Sequence, residues 1–206
     1  MKRIFSPLKH LATAAFLLGA STVAGMAATI SGSFALSGDA YTNAPGLVAN
    51  TDFTSGSFNL NLGAGASTSF TLLRIWTEEP AVDADDLAAR NLLADFSVSG
   101  FSTGTVNGAL VGVKSGPLQY GQLSWLAPIV LNGPSGSLVV INLSAGTFNF
   151  SAANALLPGS GFGYDVLATV TYVIAPVPLP AAGAALFAGL GMLGFVRRRK
   201  GAATAA

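Results

Sequence analysis

From Thr29 to Ile174 apolar and polar side chains alternate in short runs, separated by Gly, Asn, Ser and Pro. Successive side chains of a β-strand point to opposite faces, so a period of two with one apolar face predicts strands. Such runs place strands at 29–36, 53–62, 67–77, 96–101, 103–114, 118–126, 137–143, 147–151 and 166–174. The last is the clearest, with Val166, Ala168, Val170, Tyr172 and Ile174 on one face and Thr169 and Thr171 on the other. Many short strands at this spacing predict an all-β fold, an antiparallel β-sandwich or jelly roll. One segment breaks the pattern. Residues 83–96 carry Asp83, Asp85 and Asp86 at the start and Ala88, Ala89, Leu92, Leu93 and Phe96 at helical spacing, with Asp86 and Arg90 four apart. They predict one short helix. Ser31-Gly32-Ser33-Phe34-Ala35-Leu36 is echoed 24 residues later by Ser55-Gly56-Ser57-Phe58-Asn59-Leu60, and partly again at 146–150. The intervals are unequal, so the echo indicates similar strands rather than a solenoid.

The ends follow a different rule, long apolar runs beside clustered cations. Lys2, Arg3 and Lys9 precede the apolar stretch 11–23, which is too short for an ordinary span. Small residues follow, and Gly25 with Ala27 meets a signal peptidase's need for small side chains three and one before the cut. A cut after Ala28 would put the bulkier Met26 at the third position. Residues 1–27 thus read as a signal peptide, an N-terminal helix lost on export. At the other end Val177-Pro178-Leu179-Pro180-Ala181 leads into an uncharged run, 181–196, and then Arg197-Arg198-Arg199-Lys200. As a helix the run measures about 24 Å, a short transmembrane span to which residues 177–180 can add. The basic tail acts as a stop-transfer signal that stays cytoplasmic and leaves the middle outside. Pro178 and Pro180 remove backbone donors and keep the chain extended, accessible to a membrane-embedded protease.

Proline motif, Gly/Ala-rich helix and arginine cluster together resemble the C-terminal sorting signal of the PEP-CTERM class, in its VPLPA variant. That family belongs to Gram-negative bacteria that make extracellular polysaccharide. The resemblance covers 177–200 and the signal peptide. It implies processing by an exosortase, a multi-pass membrane cysteine protease, near the Pro-Leu-Pro element, and a cell-surface or biofilm-matrix destination with exopolysaccharide as a partner. The alternative for these residues is a plain single-span anchor with a proline-rich stalk.

Composition then limits the middle, 28–176. Across it three basic residues (Arg74, Arg90, Lys114) face nine acidic ones, a net charge of −6, which argues against a nucleic-acid partner. There is no Cys, and the single His, His10, lies in the signal segment. Ser-His-Asp and Cys-His catalysis, disulfides and Cys/His zinc sites are excluded from the domain. No enzyme activity is expected, because the carboxylates Asp39, Asp52, Asp95 and Asp165 show no pairing of the kind glycoside hydrolysis needs. No cofactor is required either. Calcium is the one ion to weigh, through Glu78, Glu79, Asp83, Asp85 and Asp86, although Leu87 and Ala88 stand where an EF-hand loop needs a ligand and a glycine. Helix capping accounts for the same residues. Of the aromatic residues, Trp76 reads as core, whereas Trp125, at a strand end, and Tyr120 are candidates for stacking on a sugar ring. Asn142-Leu143-Ser144 and Asn149-Phe150-Ser151 match the N-glycosylation pattern, which in predicted strands is a chance match. The chain therefore reads as an exported structural or adhesive protein, with a glycan- or calcium-binding module as the alternative.

Overall fold

A computed structural model describes residues 27–42, 45–174 and 190. The chain divides into a unit of residues 1–173 and a second of residues 174–206, of which Ile174 and Leu190 are described. The predicted signal segment as far as Met26, with Gly25, lies outside the described residues. So do the sorting motif Val177, Pro178, Leu179, Pro180 and Ala181 and the tail Arg197, Arg198, Arg199 and Lys200. Among the described residues no helix is long and apolar enough to cross a membrane.

The described part is all-β and antiparallel. Its strands are β1 (Ala28–Ser37), β2 (Asn50–Thr51), β3 (Ser55–Leu62), β4 (Ser67–Trp76), β5 (Arg90–Val98), β6 (Gly104–Ser115), β7 (Leu118–Trp125), β8 (Ile129–Asn132), β9 (Leu138–Leu143), β10 (Gly146–Ser151) and β11 (Tyr164–Val173). Sheet A runs β10-β7-β6-β5-β1-β3 and sheet B runs β2-β4-β11-β9-β8. One apolar cluster joins them. Ile30, Phe34, Phe96, Leu110, Leu123 and Phe148 enter it from sheet A, and Leu73, Ile75, Leu131, Ile141, Val166 and Val170 from sheet B. The alternation in β11 is as its sequence predicts, with Val166, Ala168 and Val170 buried and Leu167 exposed.

The predicted helix at 83–96 is not formed. Residues 77–89 make an irregular connection and β5 begins at Arg90. Leu92 and Phe96 belong to the predicted helical stripe and equally to the period-two face Leu92, Ala94, Phe96 and Val98, and β5 is paired on both sides, with β1 and β6. Burying a period-two face between two partners outweighs a helical stripe that would cover one. The predicted Asp86–Arg90 pair is lost with the helix. Two strands escaped the pattern: β2 is only two residues long, and β8 is a four-residue run behind Pro128.

Glycines inside the strands of sheet A lie under aromatic rings. Gly32 pairs with Phe58 and Phe34 with Gly56 across β1 and β3. A Cβ on Gly32 would stand 2.6 Å from the Phe58 ring, and one on Gly56 2.7 Å from that of Phe34. Phe148 covers Gly121 and Trp125 covers Gly108 in the same way. A bare glycine weakens a strand, but a cross-strand ring restores the buried apolar area it lacks. The two echoed Ser-Gly-Ser-Phe motifs thus pair with each other, antiparallel, about Ser33 and Ser57.

Candidate functional site

Pairing fixes which parts of the domain share an end. Ala28 is opposite Leu62, four residues link Leu62 to Ser67, and Ser67 is opposite Thr171. Gly65 N–H donates to Tyr172 O at 2.8 Å. The start of β1 and the finish of β11 therefore leave from one end, and the long connections 38–49, 77–89 and 152–163 gather at the other.

Buried polar side chains hold these connections. Arg90, 4% exposed, sends its guanidinium into the 38–49 loop. It donates to the carbonyls of Gly46 (2.9 Å), Thr42 (3.0 Å), Leu47 (3.4 Å) and Asp39, and to Thr42 Oγ1 (2.8 Å). Carboxylates take the amides of the same region: Asp39 accepts from Asn91 N–H at 2.6 Å, Asp85 from Gly46 N–H at 3.1 Å and Glu79 from Val48 N–H at 2.7 Å. Asp86, buried, accepts from Asp83 N–H at 2.7 Å. Gln119, buried, accepts from Val82 N–H at 2.7 Å. Asn149 sits at positive φ (52°) where β10 shifts register against β7. Fully buried, it accepts from Thr77 N–H at 2.9 Å and donates to the carbonyls of Leu157 and Gly159. An irregular backbone that enters a core must find partners for its amides and carbonyls, and these side chains supply them.

Two ionisable groups are displaced from their ordinary behaviour. Burial pushes the Glu79 carboxyl up. The Val48 amide opposes this, while the charge and hydrogen bond of Asp86 and the charge of Asp85 add to it. Burial also pushes the Tyr41 phenol up to about 12, offset by the Thr51 side chain, which does not reach hydrogen-bond geometry.

The acidic residues proposed for calcium are spread along this connection: Glu79, Asp85 and Asp86 turn oxygens to backbone amides, Glu78 accepts from the Trp76 indole N–H at 2.8 Å, and Asp83 is exposed. Among the described residues no three His, Cys, Asp or Glu side chains converge as metal ligands. Trp125 and Tyr120 are not brought together. Five residues apart on β7, they take opposite faces: Trp125 packs half-buried against the core, its indole donating to Ser144 O at 3.2 Å. Tyr120 lies on the outer face with the exposed ring of Phe150 at 6.0 Å. Trp76, predicted as core, is half-buried outside it. Leu73 pairs with Val166 and Thr71 with Leu167, so Leu72 is an inserted residue. This bulge turns Leu72 and Leu73 both inward and sends Arg74 and Trp76 out. Of the scattered carboxylates, Asp52 accepts from Arg74 N–H at 2.7 Å and Asp165 forms an ion pair with the Arg74 guanidinium at 2.8 Å. Of the two asparagines in N-glycosylation patterns, Asn149 is buried and closed to modification.

Sequence reasoning missed the outer face of sheet A. There β1, β5 and β6 form a groove of about 340 Å³ in which Ser33, Asp95, Ser97, Thr103 and Thr105 stand beside Ala35 and Gly104, with Phe34 and Phe96 at its base. Thr105 Oγ1 donates to Asp95 Oδ1 at 2.5 Å. The signal was available as the polar half of each alternating strand, but it becomes a site only when pairing sets Ser33 beside Ser97 and Asp95 beside Thr105. Hydroxyls around one carboxylate present donors and acceptors to a polyhydroxylated ligand. Comparisons with protein-family models, curated proteins and solved structures find no match to this chain.

Proposed function

We propose that the chain is an exported, exosortase-processed protein of the cell surface or extracellular matrix, whose β-sandwich has a structural or adhesive role in exopolysaccharide. The observation that carries this reading is the fit between the domain and its flanks. β1 begins at Ala28, directly after the predicted signal-peptidase cut, and β11 ends at Val173, four residues before the sorting motif. Both flanks leave from the same end of the domain, so cutting either one disturbs no strand pairing, and the looped end is the one distal to both attachments. In this mechanism the signal peptide directs export, the C-terminal helix holds the precursor in the membrane, and exosortase cuts near residues 177–181. Mass spectrometry of the mature C-terminus, in cells with and without the exosortase, tests it. The expected product ends near Pro180; an intact Arg197-Arg198-Arg199-Lys200 tail in normal cells reduces the signal to a plain anchor.

The glycan-binding alternative has its own supporting observation, the hydroxyl-lined groove beside Asp95. Binding of the host's exopolysaccharide that disappears in Asp95→Ala while the domain stays folded favours that module. Binding unaffected by Asp95→Ala leaves the groove without this role.

A further inference from the structure

Edges of antiparallel sheets are normally protected against pairing with another chain, and most edges in this domain are. β2 has two residues, β8 has four and follows a proline, and β10 is broken by the register shift between Phe148 and Ser151. β4, covered by β2 only at Ile75 and Trp76, carries the bulge at Leu72. β3 differs from all of these. It is an eight-residue edge strand, Ser55–Leu62, with no charge, proline or bulge, paired to β1 in unbroken register. Leu36 N–H donates to Thr54 O at 2.7 Å, so the even-numbered residues of β3 direct their backbone groups to β1. Those of Ser55, Ser57, Asn59 and Asn61 therefore point off the sheet.

Sequence and charge both point to one occupant. The β3 motif already pairs antiparallel with a near-copy of itself: in β1, Gly32 meets Phe58 and Phe34 meets Gly56 about the Ser33–Ser57 pair. A second β3 laid against the free edge about Ser57 again sets Gly56 opposite Phe58, in both directions, so the small residue of each copy stands beside the large one of the other, while the rings keep to their own domain, Phe58 over Gly32 and Phe34 over Gly56. The approach also avoids repulsion. The domain carries −6 overall, yet no charged side chain lies between Asp52 and Arg74, the stretch that forms β3 and the facing length of β4. Beside the edge lies a hollow of about 340 Å³, lined by Phe34, Phe53, Phe70 and Leu72 together with Ser55, Ser57 and Thr71, with Phe53 59% exposed. A neighbouring copy would cover it.

We propose that β3 is a homotypic docking edge, through which two copies join their A sheets into one twelve-stranded sheet about a two-fold axis at Ser57. In that register the two Ser57 Cα atoms stand roughly 5.5 Å apart, within disulfide range, whereas the two Ser55 Cα atoms stand roughly 14 Å apart. The chain has no cysteine, so single-cysteine variants report the register directly. With full-length chain in detergent under mild oxidant, Ser57→Cys is expected to give disulfide-linked dimer in about tenfold higher yield than Ser55→Cys, because only the former geometry suits the bond. In sedimentation equilibrium Ser57→Lys, which sets two cations on the axis, shifts dimer to monomer while circular dichroism shows the β fold retained. Equal linking by the two cysteine variants, or association unaltered by Ser57→Lys, overturns the proposal. Either test is independent of how the C-terminus is processed.

Discussion

Single side chains in this domain are most informative where a polar group has been buried. Among the described residues the buried Tyr41 hydroxyl meets no hydrogen-bond partner, and a buried polar group without one costs free energy that the unfolded chain does not bear. Tyr41→Phe is therefore expected to raise stability by about 1 kcal/mol, seen as a higher urea midpoint at unchanged slope. A lower midpoint would mean that the hydroxyl is satisfied in solution. Glu79 makes stability depend on pH. Its folded pKa lies above the ordinary 4.5, so the stability it contributes is full below that value and is lost as pH rises through the raised one. Glu79→Gln keeps an acceptor for the Val48 amide and can donate to Asp86, so the variant should melt higher than the parent at pH 7. The advantage should vanish in acid. A parallel pH dependence of melting temperature in the two proteins would show that Glu79 does not carry it. Neither residue could be singled out from the chain itself. Glu79 is one of several acids between 78 and 86, and its burial depends on the 38–49 loop, which arrives from elsewhere in the sequence.

At the scale of the element, alternation was a dependable guide wherever one face of a strand meets the core and the other meets water. It placed β1, β3, β4, β6, β7, β9, β10 and β11 to within a few residues of their observed ends. It failed over most of β5, where Leu92 and Phe96 suit both periods and pairing on two sides decides the outcome; the predicted strand 96–101 meets only the last three residues of β5, and 99–101 form a turn. It also misassigned Trp76, because a one-residue bulge reverses the parity of everything beyond it. The glycines have the same non-local explanation. Gly32 looks like a weak point in β1, yet the ring it accommodates belongs to Phe58, 26 positions on. Gly32→Ala should cost about 1–3 kcal/mol by overpacking, although alanine is otherwise the better strand residue. Denaturant unfolding measures this, and a neutral or stabilising result would show that the ring is free to move aside.

For the whole molecule the division of labour runs between the two ends of the domain. At one end β1 starts and β11 finishes; the other carries three long connections fastened by Arg90, Gln119, Asn149 and the acids around them. Arg90→Met would leave several loop carbonyls without a donor. The expected cost is about 3 kcal/mol, with new cuts between residues 38 and 49 in limited proteolysis mapped by mass spectrometry. An unchanged cleavage pattern would mean that the loop is held without the guanidinium.

The chain by itself determined the apolar runs and clustered cations of its ends, the absence of Cys and His from the domain, the acidic charge and the all-β class. Each of these is a property of composition or of short-range periodicity, which needs no knowledge of distant contacts. Tertiary structure alone decided that β5 is a strand and that Trp125 and Tyr120 part company across a sheet. It also set hydroxyls in a groove around Asp95 and, among the described residues, left β3 at an unprotected edge. The physical reason is common to all four. A side chain's face, neighbours and access to water follow from which strands lie beside its own, and residues far apart in the sequence supply those strands.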